Sequence, residues 1–186
     1  MAAAPSELSG SAPAAAAGRI LYVVRHAQAE AAAAGQLDRH RPLTAHGRGQ
    51  AAALAAAVAG GQLAGRPVPV PQLVLASAAV RAEQTARPLA EATGAELWVE
   101  PGLYRAGVDD VVELVRLVGA EPAVVAVVGH NPTVEQLVVE LAGLAAARQA
   151  LPGGLGTAAV VVLALPVGSW SQLAPGEAQL LVATRP

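Results

Sequence analysis

Short apolar runs alternate with longer amphipathic or small-residue stretches along most of this chain. RILYVVR, residues 19–25, is rich in β-branched residues and predicts a buried strand. A polar stretch, 26–43, leads to Thr44, a good N-cap for a helix through AHGRGQAAALAAAVAG that Gly60 and Gly61 end. LVLA at 73–76 predicts a second strand, followed by a helix from Ala78 to about Thr93, capped by Ser77 and stopped by Gly94. ELWVE at 96–100 is a third strand. Val108, Val111, Val112, Leu114, Val115 and Val118 have helical spacing, with Asp109 and Asp110 in the first turn where carboxylates are favoured. AVVAVVG at 123–129 is a fully apolar strand. Asn131 then caps a helix that starts with Pro132 and runs to about Ala147. TAAVVVLAL (157–165) and AQLLVAT (178–184) predict an antiparallel edge pair.

Strands alternating with helices predict an α/β fold, a three-layer α/β/α sandwich around a mainly parallel central sheet. No period of 20–50 residues repeats, which excludes a solenoid. At 186 residues the chain suits one domain. Aromatics make up 2% with no Phe, so the core falls to Ala, Val and Leu, and Trp98 and Trp170 are expected to pack within it. Net charge is −2, which argues against a protein that coats nucleic acid. The lack of cysteine excludes disulfides, thiol nucleophiles and cysteine metal sites. No apolar run is long enough to span a membrane. Residues 1–18 are Ala-, Pro- and Ser-rich without the basic and Leu-rich regions of a secretory signal. They read as a disordered tail ahead of a domain at 19–186, and the expected compartment is the cytoplasm.

In an open parallel sheet, ligands bind beyond the carboxyl ends of the strands. Arg25-His26 follows the first strand, Ser77 and then Arg81 follow the second, and Gly129-His130-Asn131-Pro132 follows the strand at 123–129. Three strands thus carry two Arg and two His to one edge of the sheet, where two helix N-termini add partial positive charge. Arginine forks match the geometry of phosphate. Carboxylates are too few nearby for Mg²⁺ or Ca²⁺, and zinc normally wants three protein ligands and no neighbouring Arg. A phosphoryl site without metal or cofactor, with a histidine nucleophile, fits best. In it a protonated His130 joins the Arg pair in placing charge on the transition state.

Arg25-His26-Ala27 resembles the Arg-His-Gly signature of the histidine phosphatase superfamily, whose fold is phosphoglycerate mutase-like, with Ala in place of Gly. Four further elements resemble its short SixA-like phosphohistidine phosphatase branch. They are Asp38-x-x-Arg41-Pro42-Leu43-Thr44, Ser77-x-x-x-Arg81-Ala82-Glu83-Gln84-Thr85, Leu103-Tyr104-x-Ala106 and Gly129-His130-Asn131-Pro132. The resemblance implies that His26 is the phosphorylated nucleophile and that Arg25, Arg81 and His130 hold the phosphoryl group. Arg41 is implied as a substrate contact, and Ser77 and Asn131, at the helix starts beside these groups, are expected to join it. Ala27 adds only a methyl group, which is tolerated where the backbone is not left-handed.

Larger members of the superfamily carry a glutamate as general acid after the third strand. Here Glu100 and Asp109 are the candidates in that region, and neither sits in a matching motif. An alkoxide leaves badly without a proton, whereas the phosphohistidine ring carries its own, so a site lacking an acid favours phosphoramidates. The expected enzyme is a phosphatase acting through phospho-His26 on a phosphorylated substrate, with phosphohistidine in proteins first and a small sugar or nucleotide phosphate second. A phosphate-binding module without turnover is the alternative from another class. Neither nucleic acid nor membrane is an expected partner.

Overall fold

Strand β1 (Arg19–Arg25) has Leu21, Tyr22, Val23 and Val24 all fully buried, so both of its faces are covered. The computed structural model describes residues 18–185, and the expected N-terminal tail lies outside the described residues apart from Gly18. After β1 come α1 (Ala45–Ala59), a two-residue hairpin of β2 (Gln62–Leu63) and β3 (Arg66–Pro67), β4 (Leu73–Ser77), α2 (Val80–Thr93) and β5 (Glu96–Glu100). Then follow α3 (Val108–Arg116), β6 (Val124–Gly129), α4 (Thr133–Ala142), α5 (Leu144–Ala150), β7 (Val160–Leu165) and β8 (Gln179–Thr184).

The six long strands form one sheet in the order β5-β4-β6-β1-β7-β8. The first four are mutually parallel, while β7 runs antiparallel to both β1 and β8. The expected α/β architecture, with its antiparallel pair at one edge, is the one observed.

Alternation along the strands splits the core in two. Leu21, Val23, Leu75 and Val127 face Val111, Val115, Leu137 and Leu141 of α3 and α4, with Trp170 buried in the same cluster. Tyr22, Val24, Val74 and Ala126 face Leu54 and Val58 of α1 and Ala82, Ala86 and Leu89 of α2. Alanine at so many contact positions lets α1 and α2 pack closely, which is how a core without Phe reaches interior density.

The structure corrects several sequence expectations. Helix α2 starts at Val80 with Ala79 at the cap, and Ser77 ends β4 instead. Asn131 does not cap α4, whose N-cap is Pro132 without a side-chain bond. The long helix expected to reach Ala147 breaks at Gly143, which has φ 83° and ψ 151°, into α4 and α5. Trp98 lies on the edge strand β5, 38% exposed, because an edge strand has no helix covering this position. Thr44 does cap α1, its Oγ1 accepting from the Gly47 N–H at 2.8 Å. Among the described residues no helix is long and apolar enough to cross a membrane.

Candidate active site

Register brings the polar strand ends together. Arg25 pairs with Gly129 across β1 and β6, Ala76 pairs with Val128 across β4 and β6, and the His26 N–H donates to the Gly129 carbonyl at 3.0 Å. His26, Ser77 and His130 therefore leave three neighbouring strands at the same level, and Arg81 enters from the first turn of α2.

His26 is oriented at both ring nitrogens. Its Nδ1 lies 2.7 Å from the Ala27 carbonyl, which can only accept, so Nδ1 carries the proton. Its Nε2 then bears the lone pair, and Arg81 Nε–H donates to it at 3.2 Å. Burial pushes the His26 pKa down to about 4; the Ala27 carbonyl opposes this, and the charges of Arg81, Arg25 and Arg41 add to it. The ring is neutral at pH 7. Ala27 lies outside the left-handed region, so the methyl group in place of the signature glycine costs no backbone strain. Its N–H donates to Thr85 Oγ1 at 3.0 Å, and Thr85 donates in turn to the Arg81 carbonyl at 2.7 Å, locking the loop after β1 to α2.

The His130 ring centroid is 5.0 Å from that of His26. His130 Nε2 and Ser77 Oγ are 2.8 Å apart, and Ser77 Oγ accepts from the Ala79 N–H at 3.3 Å. His130 Nδ1 is buried without a partner among the described residues. Burial, then the neighbouring charges of His26 and Arg81, pushes the His130 pKa down to about 3, with Asp38 opposing. That direction favours the neutral ring at pH 7, where the sequence suggested a protonated His130.

Arg81 is 5% exposed, and each of its three guanidinium nitrogens makes one hydrogen bond within the protein, which leaves two of its five N–H donors for an incoming anion. Nη1 donates to the Asp38 carbonyl at 2.8 Å and Nη2 to Asp38 Oδ2 at 2.9 Å. Asp38 also accepts from Arg41 Nε at 2.8 Å and from the Tyr104 hydroxyl at 2.9 Å. Burial alone would raise the Asp38 carboxyl; hydrogen bonds from Arg41, Tyr104 and Arg81 outweigh it and hold the group well below the usual carboxylate range. Asp38 is thus an acceptor that stays ionised. Arg41 reaches this cluster with its Nη1 on the Glu30 carbonyl at 2.7 Å.

Arg25 donates Nη1 to the Leu155 carbonyl at 2.8 Å, and its Nε is buried with no protein acceptor among the described residues. Such a donor calls for a polar partner that the described residues do not supply.

Four expected contacts are placed differently. Ser77 is fully buried and acts on His130, so it braces that ring and does not face substrate. Asn131 spends both amide protons on Glu135 Oε2 and the Leu155 carbonyl, each at 3.0 Å, leaving none for a phosphate oxygen. Glu100, at the end of β5, and Asp109, exposed in the first turn of α3, make no hydrogen bond to His26, Arg81 or His130. Neither is placed as a general acid. Sequence reasoning missed Asp38 and Thr85 as working groups although both stand inside the motifs given above. A carboxylate three residues before Arg41 was the available signal. Among the described residues no three His, Asp or Glu side chains gather as metal ligands.

The comparisons with known proteins agree with this fold. The family model for the histidine phosphatase superfamily (branch 1) matches residues 21–114. An uncharacterised protein of Mycobacterium tuberculosis is 34% identical over 164 residues, covering 85% of this chain and 96% of its own. A crystal structure of a candidate phosphohistidine phosphatase SixA from Agrobacterium tumefaciens overlays with TM-score 0.76 at 28% identity, covering 90% of this chain and 98% of that one. The protein histidine phosphatase SixA complexed with tungstate overlays with TM-score 0.66 at 25% identity, covering 89% and 96%. This chain belongs to the histidine phosphatase superfamily, in its SixA-like branch, and is a phosphatase.

Proposed function

We propose that the domain at 19–186 removes the phosphoryl group from phosphohistidine in proteins, with His26 as nucleophile. The observation that carries this reading is the fixed His26 tautomer, its Nδ1–H on the Ala27 carbonyl and its Nε2 lone pair turned into the pocket. Nε2 attacks phosphorus, the substrate P–N bond breaks, and its electron pair goes to the leaving ring nitrogen. The other nitrogen of that ring releases nothing and needs no donor, because a phosphoimidazole protonated on its far nitrogen departs as neutral imidazole. Water then attacks phospho-His26, the electron pair returns to Nε2, and the water's protons leave with inorganic phosphate or to solvent.

The cationic groups supply charge placement. Arg25, Arg81 and His130 surround the transferring group, and such preorganised groups supply much of the catalysis in phosphoryl transfer. The carboxylate bonded to Arg81 is Asp38, ionised and committed as an acceptor, so it offers no proton to an alkoxide. This favours a P–N over an alkyl P–O substrate. The SixA relative is complexed with tungstate, a phosphate-like oxyanion, which supports oxyanion binding as the work of this fold. Small sugar or nucleotide phosphates are the second reading, since an open phosphoryl pocket also admits them. We place the enzyme in the cytoplasm, acting without metal, nucleic acid or membrane.

The test compares hydrolysis of a phosphohistidine peptide, p-nitrophenyl phosphate and an alkyl phosphate, with EDTA present. Turnover ordered P–N above aryl above alkyl supports the proposal. Equal turnover of the alkyl ester gives the second reading, and loss of all turnover on adding EDTA overturns the metal-free site.

A further inference from the structure

Arg25 does not reach its position alone. Its Nη1 donates to the Leu155 carbonyl at 2.8 Å, and that carbonyl also accepts from Asn131 Nδ2 at 3.0 Å. The Leu155 N–H donates to Glu135 Oε2 at 3.1 Å, and the same oxygen takes the Asn131 amide at 3.0 Å. The backbone of residue 155 is thereby clamped on both sides of its Cα, with its N–H on Glu135 and its C=O on Arg25 and Asn131. Leu155 itself is buried, so the peptide cannot fall back on solvent for these bonds.

Glu135 is well placed for this work. It lies in the first turn of α4, where the helix N-terminus favours a carboxylate. The adjoining loop is shaped around it. Gly154 has φ +72° and comes so close that a Cβ there would sit 3.1 Å from Glu135 Oε2. Burial pulls the Arg25 guanidinium below its ordinary value, Glu135 opposes that pull, and Arg185 adds to it. Glu135 is the carboxylate that offsets the burial of the Arg25 cation.

From these contacts we infer that Glu135 is a positioning residue for Arg25, acting through the Leu155 peptide to fix the guanidinium that receives the phosphoryl group. It touches no substrate. The inference deepens the proposed reading of the pocket and rests on it, because it takes Arg25 as an oxyanion donor. It also gives the Asn131 side chain a purpose, as the second brace on the same peptide.

The test is a double-mutant cycle read by equilibrium binding of vanadate, a phosphoryl mimic, with circular dichroism and Tm recorded for each variant. Glu135→Ala is expected to weaken vanadate binding about tenfold, as for outer partners that orient metal ligands. Glu135→Gln, which keeps an acceptor oxygen for Leu155 and Asn131, is expected to recover most of that loss. In an Arg25→Ala background Glu135→Ala changes binding little, since residues acting through one another are non-additive. Asn131→Ala is run through the same cycle, so the inference stays testable if Glu135→Ala does not fold. Equal losses in the wild-type and Arg25→Ala backgrounds, or wild-type binding by Glu135→Ala, overturn the positioning role alone. Failure of the wild-type chain to bind vanadate overturns the reading of the pocket and this inference with it.

Discussion

Arg81 donates its Nε–H to His26 Nε2 at 3.2 Å, so a buried cation faces the ring lone pair directly. The pairing holds the lone pair in the pocket and keeps the ring from taking up a proton. A phosphoryl group attached to Nε2 would find the same guanidinium beside its oxygens. Arg81→Lys keeps the charge and loses the planar fork. It is expected to cost about 3 kcal/mol of transition-state stabilisation, roughly 100-fold in kcat/KM, by analogy with loss of one oxyanion donor. Steady-state kinetics on a phosphoramidate measure it.

His26 and His130 predict how acid acts on the enzyme. Their pKa values are pushed down to about 4 and about 3, from an ordinary value of 6.5. Between about pH 4 and 6.5 the unfolded chain therefore binds more protons than the folded one, so stability rises with pH across that window and falls as acid is added. Tm measured from pH 7 down to pH 4.5 should decline, and the decline should be shallower in His130→Asn. The histidine resonances followed by NMR should place the His26 midpoint below pH 5.

Asp38 separates two roles by substitution. As a fixed acceptor for Arg81, Arg41 and Tyr104 it is replaceable in part by an amide, whose oxygen still accepts. Asp38→Asn should retain more activity than Asp38→Ala, with the same ratio on a phosphoramidate and on an aryl phosphate. A general acid would behave otherwise: both variants would fail alike, and most severely on the poorer leaving group.

Gly47 controls the loop that carries His26. It lies in the first turn of α1, and a Cβ there would sit 2.0 Å from the Gln28 carbonyl oxygen. Gln28 in turn accepts from the Thr44 N–H at 3.0 Å. Gly47→Ala must push the 26–29 segment away from α1. It is expected to destabilise the fold by about 1–3 kcal/mol, as overpacking does, and to lower activity, both read from denaturant melts and kinetics on one preparation.

Much of this was legible in the chain. Apolar runs 19–25, 73–76 and 123–129 became β1, β4 and β6 because parallel strands buried on both faces leave a continuous apolar signature, while ELWVE at 96–100 became the half-exposed edge strand β5. The strand-end rule placed Arg25, His26, Arg81 and His130 at one edge, and parallel register does put them together. What was not legible lies in irregular segments. Asp38 meets Arg81 across 43 positions, Tyr104 meets Asp38 across 66, and Leu155 meets Arg25 across 130. No periodicity marks such contacts, since loop direction is set by tertiary packing. The role given to Asn131 failed for a related reason. Capping needs Asn131 Oδ1 as an acceptor, and that oxygen has no partner among the described residues, because the side chain is turned so that its amide N–H groups reach Glu135 Oε2 and the Leu155 carbonyl.

The central claim is that the phosphoryl group passes through His26. The direct measurement is to mix the enzyme briefly with radiolabelled phosphoramidate, quench in alkali and map the labelled peptide. The account predicts acid-labile, alkali-stable label on residue 26 of the wild-type chain and none on His26→Ala, which also fails to turn over. Label on a different residue, or turnover by His26→Ala near the wild-type rate, would contradict it.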